Sequence, residues 1–279
     1  MKLATFENSA GRQTGVVSKG GITPTGIAGT MIDLIANWDV RKPEVERNLE
    51  KGTALPLASV ELLAPVLRPG KVFAIGLNYA DHIAESNMAT PEHQVWFTKA
   101  VTSINGPYAP ILIGRTGPFV DYEIELVAII GKAGKHVPRE RAHEHVFGYC
   151  VGNDVTERLW QHSTAQWSLG KSFDTHAPIG PWITTADEIP DPHTLDLRCF
   201  VNGEKRQESN TRHLVFDVWA QIEHLSQAMT LEPGDVIFTG TPAGIGATMD
   251  PRQFLKPGDV LRSEIDGLGV LEATMVAEV

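Results

Sequence analysis

The 279-residue chain lacks any run of about 18 consecutive apolar residues, the length a membrane-spanning helix needs. No membrane partner is expected. The first residues show no basic stretch leading into an apolar one, so secretion is not expected either. Cysteine is scarce: Cys150 and Cys199 are the two present, and no CxxC pair exists. Two thiols make no disulfide framework. Both lie in apolar, strand-like runs and read as buried free thiols, which suits a reducing, cytoplasmic location. Positive charge is also short, with 24 Lys and Arg against 34 Asp and Glu and a net charge of −10. That deficit argues against nucleic acid as a partner, because binding phosphate backbones needs many cations. An anionic small molecule stays open, since one lysine or one metal ion can set the field of a single cleft. The glycine-rich stretch from Thr239 to Gly246 has neither the spacing nor the Gly-Lys-Ser/Thr of a nucleotide loop. His143-Glu144-His145 has no i,i+4 histidine pair, so a helical zinc-protease site is excluded.

What is present is ordinary globular material, 42% hydrophobic and 21% charged. Residues 1–68 read as a small α+β N-terminal domain. It holds a hairpin from Lys2 to Phe6 and Gly15 to Ser18, then two short helices, Met31 to Trp38 and Val45 to Leu49. The Arg68-Pro69-Gly70 turn marks the boundary to a second domain, 69–279. There, short runs rich in Val, Ile and Phe alternate with Gly/Pro/Asp turns, so the class is mainly β with some α. Strands are expected at Val72–Ile75, Val120–Ile130, Val146–Val151, Leu195–Val201, Val236–Thr239, Val260–Ile265 and Val270–Val276. One helix, Leu214 to Met229, keeps Val218, Ile222, Leu225 and Met229 on one face.

The most informative segment is Val120-Asp121-Tyr122-Glu123-Ile124-Glu125-Leu126. Alternation in a strand puts Asp121, Glu123 and Glu125 on one face. A solvent-facing polar edge would explain that pattern, but the run turns wholly apolar at once, which suggests a buried central strand. Three like charges in a row repel, and a hard cation would relieve them. All-oxygen ligation favours Mg²⁺, Mn²⁺ or Ca²⁺ over Zn²⁺. A third carboxylate, Asp154, ends the apolar strand that begins at Val146. By itself Asp154 reads better as a helix N-cap.

These segments resemble the catalytic domain of the fumarylacetoacetate hydrolase superfamily. The resemblance runs from about Leu67 to about Val276 and rests on ordered blocks. They are Gly76-Leu77-Asn78-Tyr79-Ala80-Asp81-His82, Asp121 to Leu126, Asn153-Asp154-Val155-Thr156, Gly170-Lys171-Ser172-Phe173-Asp174, Val201-Asn202-Gly203-Glu204 and Thr239-Gly240-Thr241-Pro242. It implies a mixed β-sandwich roll, a homodimer, and one Mg²⁺ or Mn²⁺ per chain held by Glu123, Glu125 and Asp154. Two stretches depart from the family pattern: Leu159 stands where an Asp is common, and Asn210-Thr211-Arg212-His213 replaces a more usual Ser-Asp.

His82 and Glu85, three apart, share a helix face, and a carboxylate beside an imidazole orients a general base. The segment from Ala84 to Pro91 reads as a lid over that pair. The resemblance places Lys171 and Lys99 near the pocket, and Gln207 at a substrate-contacting position. Thr241 and nearby N–H groups are read as a carboxylate cradle. The expected activity is hydrolysis of a carbon–carbon bond in an acylpyruvate, a small 2-oxo acid. In it His82 activates water and Lys171 steadies the oxyanion. Relatives that decarboxylate oxaloacetate or isomerise unsaturated 2-oxo diacids mark the alternatives, and a non-catalytic ligand-binding relative is a remoter one.

Overall fold

The turn-punctuated apolar runs become two packed sheets in the computed structural model, which describes residues 1–86 and 89–279. The larger sheet has eleven strands. Its main path runs Gly21–Pro24, Gly11–Ser18, Lys2–Asn8, Ala177–Thr185, Val146–Asn153, Ile124–Ile130, Val236–Phe238, Val72–Gly76 and Val95–Thr98. The second sheet has five strands, Glu204–Asn210, Asp196–Val201, Val260–Ile265, Gly269–Ala277 and Ile111–Ile113. This is the mainly β architecture expected, with short helices at the margins.

The strand Ile124–Ile130 is the centre of the molecule, and every one of its residues is buried. On one face Ile124, Leu126, Ala128 and Ile130 pack with Leu197, Cys199, Leu261 and Met275 of the second sheet. On the other, Val127 and Ile129 pack with Ile183, Phe238, Leu34 and Val45. A strand apolar on both faces has no solvent side to slip towards, so its register is strongly specified. Two Pro-Gly-Asp turns each close on their own carboxylate. Glu232 N–H donates to Asp235 Oδ2 and Lys256 N–H to Asp259 Oδ2, both at 2.8 Å, with Gly234 and Gly258 at positive φ. The helix occupies Val218–Ala228, shorter than expected, because the Asp217 carboxylate caps it by accepting from Ala220 N–H at 2.8 Å.

One strand lies outside the sequence expectation. The strand Ala177–Thr185 was not anticipated, because Pro178, Gly180 and Pro181 argue against a central strand. The sheet accommodates them where the pairing register with Val146–Asn153 shifts between Tyr149 and Val151. The N-terminal segment is joined to the rest of the chain through the main sheet. Lys2 pairs with Thr184 and Leu3 with Ile183, so the N-terminal strands continue the main sheet. Leu3, Val16, Leu34 and Val45 share one core with Val127, Ile179 and Phe238. Among the described residues no helix is long and apolar enough to cross a membrane.

A shared core predicts shared unfolding. The intact chain should melt in one cooperative transition, and a fragment of residues 69–279, with the Ala177–Thr185 edge bared, should show none by calorimetry. A fragment that melts cooperatively near the parent temperature would restore the two-domain division.

Candidate metal centre and active site

The acidic segment is not one continuous strand. It breaks after Val120–Asp121, which pairs with Thr156–Glu157, and resumes at Ile124. Glu123 sits in the break, its N–H donating to Asn153 Oδ1 at 2.9 Å while its carbonyl accepts from Asp154 N–H at 2.8 Å. Antiparallel register sets Ile124 opposite Asn153 and Glu125 opposite Gly152. Asp154, the next residue, therefore arrives beside both glutamates. Oxygens of Glu123, Glu125 and Asp154 all lie within 4.8 Å of one another, and all three residues are buried. Asp154 is not a helix cap: the helix Arg158–His162 is capped by Glu157, whose carboxylate accepts from Trp160 N–H at 2.7 Å.

Burying three carboxylates together costs several kcal/mol unless cations answer them. Lys171 Nζ donates to Glu123 Oε2 at 2.7 Å and to Asp154 Oδ2 at 2.6 Å. Lys99 Nζ donates to Asp154 Oδ1 at 2.6 Å and to the Lys171 carbonyl. Arg158 Nη1 is 2.7 Å from Glu123 Oε1, and its Nε donates to Asp121 Oδ2 at 2.9 Å. Asp121 is filled by this guanidinium and by the N–H groups of Gly246 and Ala247. It ties the glycine-rich loop to the acidic segment and has no capacity left for an ion.

Four buried carboxylates thus face three cations. Burial pushes the Glu123 carboxyl up, but Lys171 and Arg158 outweigh it and hold the group well below the usual carboxylate range. Glu125 goes the other way. Burial first, then Asp154 and Glu123, raise it far above that range, and its described hydrogen bond is one N–H, from Gly240 at 2.7 Å. The missing positive charge is where the three ligands converge. An all-oxygen, buried, carboxylate-rich donor set fits Mg²⁺ or Mn²⁺.

Glu123 and Glu125 open into a cavity of about 210 Å³ that His82, Lys171 and Thr241 also line. Leu77 on its wall sits at φ 55°, a left-handed conformation that costs a side-chain-bearing residue roughly 1–2 kcal/mol. Asn78 holds it there. The Asn78 amide donates to the carbonyls of Phe216 and Thr239 and accepts from Phe216 N–H. His82 is on the helix Ala80–Glu85, with Nδ1 3.7 Å from Glu85 Oε2, an electrostatic approach rather than a formed hydrogen bond. Glu85 accepts from Gly244 N–H at 2.9 Å and from the Thr248 hydroxyl, so it also latches this helix to the glycine-rich loop. Burial raises the Glu85 carboxyl, but His82, Thr248 and Gly244 together bring it below its ordinary value. Thr241 accepts from Gln207 at 2.9 Å, which leaves its own hydroxyl proton for the cavity.

Lys99 and Gln207 do not stand where a substrate contact requires. Lys99 is behind Asp154 with its ammonium spent on protein oxygens. The Gln207 amide is fully engaged, accepting from Ile124 N–H and donating to Thr241 and to the Pro242 carbonyl. Lys99 orients Asp154, and Gln207 joins the acidic segment to the loop. The lid expected from Ala84 to Pro91 includes Asn87 and Met88, which lie outside the described residues.

Arg158 and Gln161 line the cavity and were missed as site residues. Arg158 Nη1 donates to Gln161 Oε1 at 2.9 Å, which turns the Gln161 Nε2 donor towards the open space. Their signal was their spacing: three apart on one helix face, directly after a strand-end carboxylate.

The family model for the fumarylacetoacetate (FAA) hydrolase C-terminal domain matches residues 71–276. The mitochondrial oxaloacetate tautomerase FAHD2A of Bos taurus is 42% identical over 265 residues, 94% of this chain and 84% of that one. A fumarylacetoacetate hydrolase from Exiguobacterium antarcticum superposes with a TM-score of 0.89 at 40% identity, over 100% of both chains. A maleylpyruvate hydrolase from Sphingobium sp. SYK-6, solved with manganese(II) and pyruvate, superposes with a TM-score of 0.86 at 35% identity, again over 100% of both.

Burial, then Asp154 and Glu123, raise the Glu125 carboxyl far above its usual range, so an incoming cation is expected to compete with a proton there. Calorimetric titration of chelator-stripped protein with Mn²⁺ should therefore show one ion per chain, proton release, and affinity that tightens as pH rises. Glu125→Gln should abolish the proton release and weaken binding by more than the roughly 10–100-fold typical of outer-shell changes. Unchanged affinity in that variant would remove Glu125 from the ligand set.

Proposed function

Because the chain belongs to the fumarylacetoacetate hydrolase family, we propose that it is a metal-dependent enzyme that enolises a small 2-oxo acid, with keto–enol tautomerisation of oxaloacetate as its reaction. The observation that carries this reading is one small cavity lined by Glu123, Glu125, His82 and Lys171, with Asp154 completing the oxygen-ligand triad behind its wall. A bound Mg²⁺ or Mn²⁺ supplies Lewis-acid polarisation of the 2-oxo group.

The protein's own groups do the rest. Thr241 donates its free hydroxyl proton to the substrate carboxylate. His82, with Nδ1 turned to Glu85, uses Nε2 to take a proton from C3, and the C–H pair becomes the C2–C3 double bond. Lys171 has two of its donors on Glu123 and Asp154, and the third steadies the oxyanion at O2. Return of the proton to O2 completes the enol, and the reverse path regenerates the ketone. No carbon–carbon bond needs to break. A cavity of about 210 Å³ suits so compact a substrate, and the bovine relative is named for this reaction.

Acylpyruvate hydrolysis is the second reading, supported by the maleylpyruvate hydrolase that matches along its whole length. There the same His82 would take its proton from water. The homodimer belongs to the proposal as well, supported by Phe119, Leu159, Trp160 and Leu169, large apolar side chains left exposed on one chain. The two buried free thiols suit a reducing compartment such as the cytoplasm.

Following the enol absorbance of freshly dissolved oxaloacetate, with coupled detection of pyruvate, separates the readings. Mn²⁺-loaded parent should speed the enol–keto exchange without releasing pyruvate. His82→Ala should slow it about 10²–10⁴-fold, the usual worth of a positioned base, with Mn²⁺ affinity unchanged. A His82→Ala variant as fast as the parent would remove His82 as the base. A parent that cleaves acylpyruvates faster than it tautomerises oxaloacetate would put hydrolysis in first place.

A further inference from the structure

The cavity is electrostatically polarised along its depth. Its buried end is the carboxylate triad with Lys171 and Arg158. Its outer end includes His162, an exposed side chain that lines the same cavity. His162 ends the helix Arg158–His162, four residues after Arg158, so the two share the helix face turned to the cavity. His162 makes no hydrogen bond among the described residues, whereas Arg158 is fully committed to Asp121, Glu123 and Gln161. Burial first, then the positive charges of Arg158, Lys171 and Arg252, hold the imidazole below its ordinary value. A ring donor without a partner, set among cations at an open mouth, is placed to meet an anion that arrives with the substrate.

We propose that His162 is the specificity-determining residue that receives the distal carboxylate of a 2-oxo dicarboxylate, while the 2-oxo acid end lies at the triad. This rests on the proposed function for which end of the substrate goes inward, and it adds what the outer end recognises. His162 is a positioning residue for the distal group and takes no part in moving the C3 proton. Its influence therefore falls on substrate affinity and on the choice between one and two carboxylates. An exposed polar or charged contact is individually weak, so the expected preference is modest, about 2–5-fold.

The test is competition binding to Mn²⁺-loaded protein with three probes: oxalate, which fills the inner end alone, pyruvate, and oxaloacetate. The parent should bind oxaloacetate about 2–5-fold more tightly than pyruvate. His162→Asp should erase that advantage and leave oxalate and Mn²⁺ affinity unchanged. His162→Gln, which keeps a donor, should retain part of it. In turnover, His162→Asp should raise KM for oxaloacetate with kcat nearly unchanged. A full oxaloacetate advantage in His162→Asp, or none in the parent, would overturn the assignment. Parent protein that shows the binding preference but no enolisation would overturn the tautomerase reading and leave the His162 assignment standing.

Discussion

One charge imbalance organises this protein. Asp121, Glu123, Glu125 and Asp154 are buried together, and Lys99, Lys171 and Arg158 answer them one positive charge short. Each cation has a fixed place. Lys99 pins Asp154 from behind, Lys171 bridges Asp154 to Glu123, and Arg158 bridges Glu123 to Asp121. The uncompensated charge collects on Glu125. Such a cluster would be a liability in a purely structural core, where apolar residues of similar volume do as well or better. As a preorganised nest for a divalent cation it has a physical reason to exist.

The surrounding fold serves that nest. Burial of Ile124–Ile130 on both faces fixes its register against Val146–Asn153, and the register alone brings Asp154 to the glutamates. The glycine-rich loop is held from three directions, by Asp121 through Gly246 and Ala247, by Glu85 through Gly244 and Thr248, and by Gln207 through Thr241 and Pro242. Gly246 has to be glycine: a Cβ there would meet the Gln253 carbonyl at 1.8 Å and Asp121 at 2.8 Å. The acidic segment, the helix bearing His82 and the cradle loop are thereby one rigid assembly, as preorganised electrostatic stabilisation requires.

Much of this was legible in the sequence. Alternation around Glu123 and Glu125 and the apolar run after them identified the central strand, because burial on both faces leaves a compositional mark. The strand-end position of Asp154 pointed to the third ligand. Strand Ala177–Thr185 was hidden by Pro178 and Pro181, since local propensity argues against what a register shift permits. The roles of Lys99 and Gln207 could not be read, because a residue's spent hydrogen-bonding capacity depends on partners distant in the chain. Lys99 meets Asp154 across 55 positions, and Gln207 meets Ile124 across 83. Arg158 and Gln161 were readable in spacing alone, but their meaning needed the carboxylates they face.

The central claim is that the missing positive charge is a divalent cation between Glu123, Glu125 and Asp154. Anomalous diffraction from crystals grown with Mn²⁺ tests it most directly. The account predicts one strong peak per chain, bonded to oxygens of all three residues, with Lys171 and Arg158 still on Glu123. A triad left empty while Mn²⁺ binds elsewhere, or a peak that omits Glu125, would contradict it.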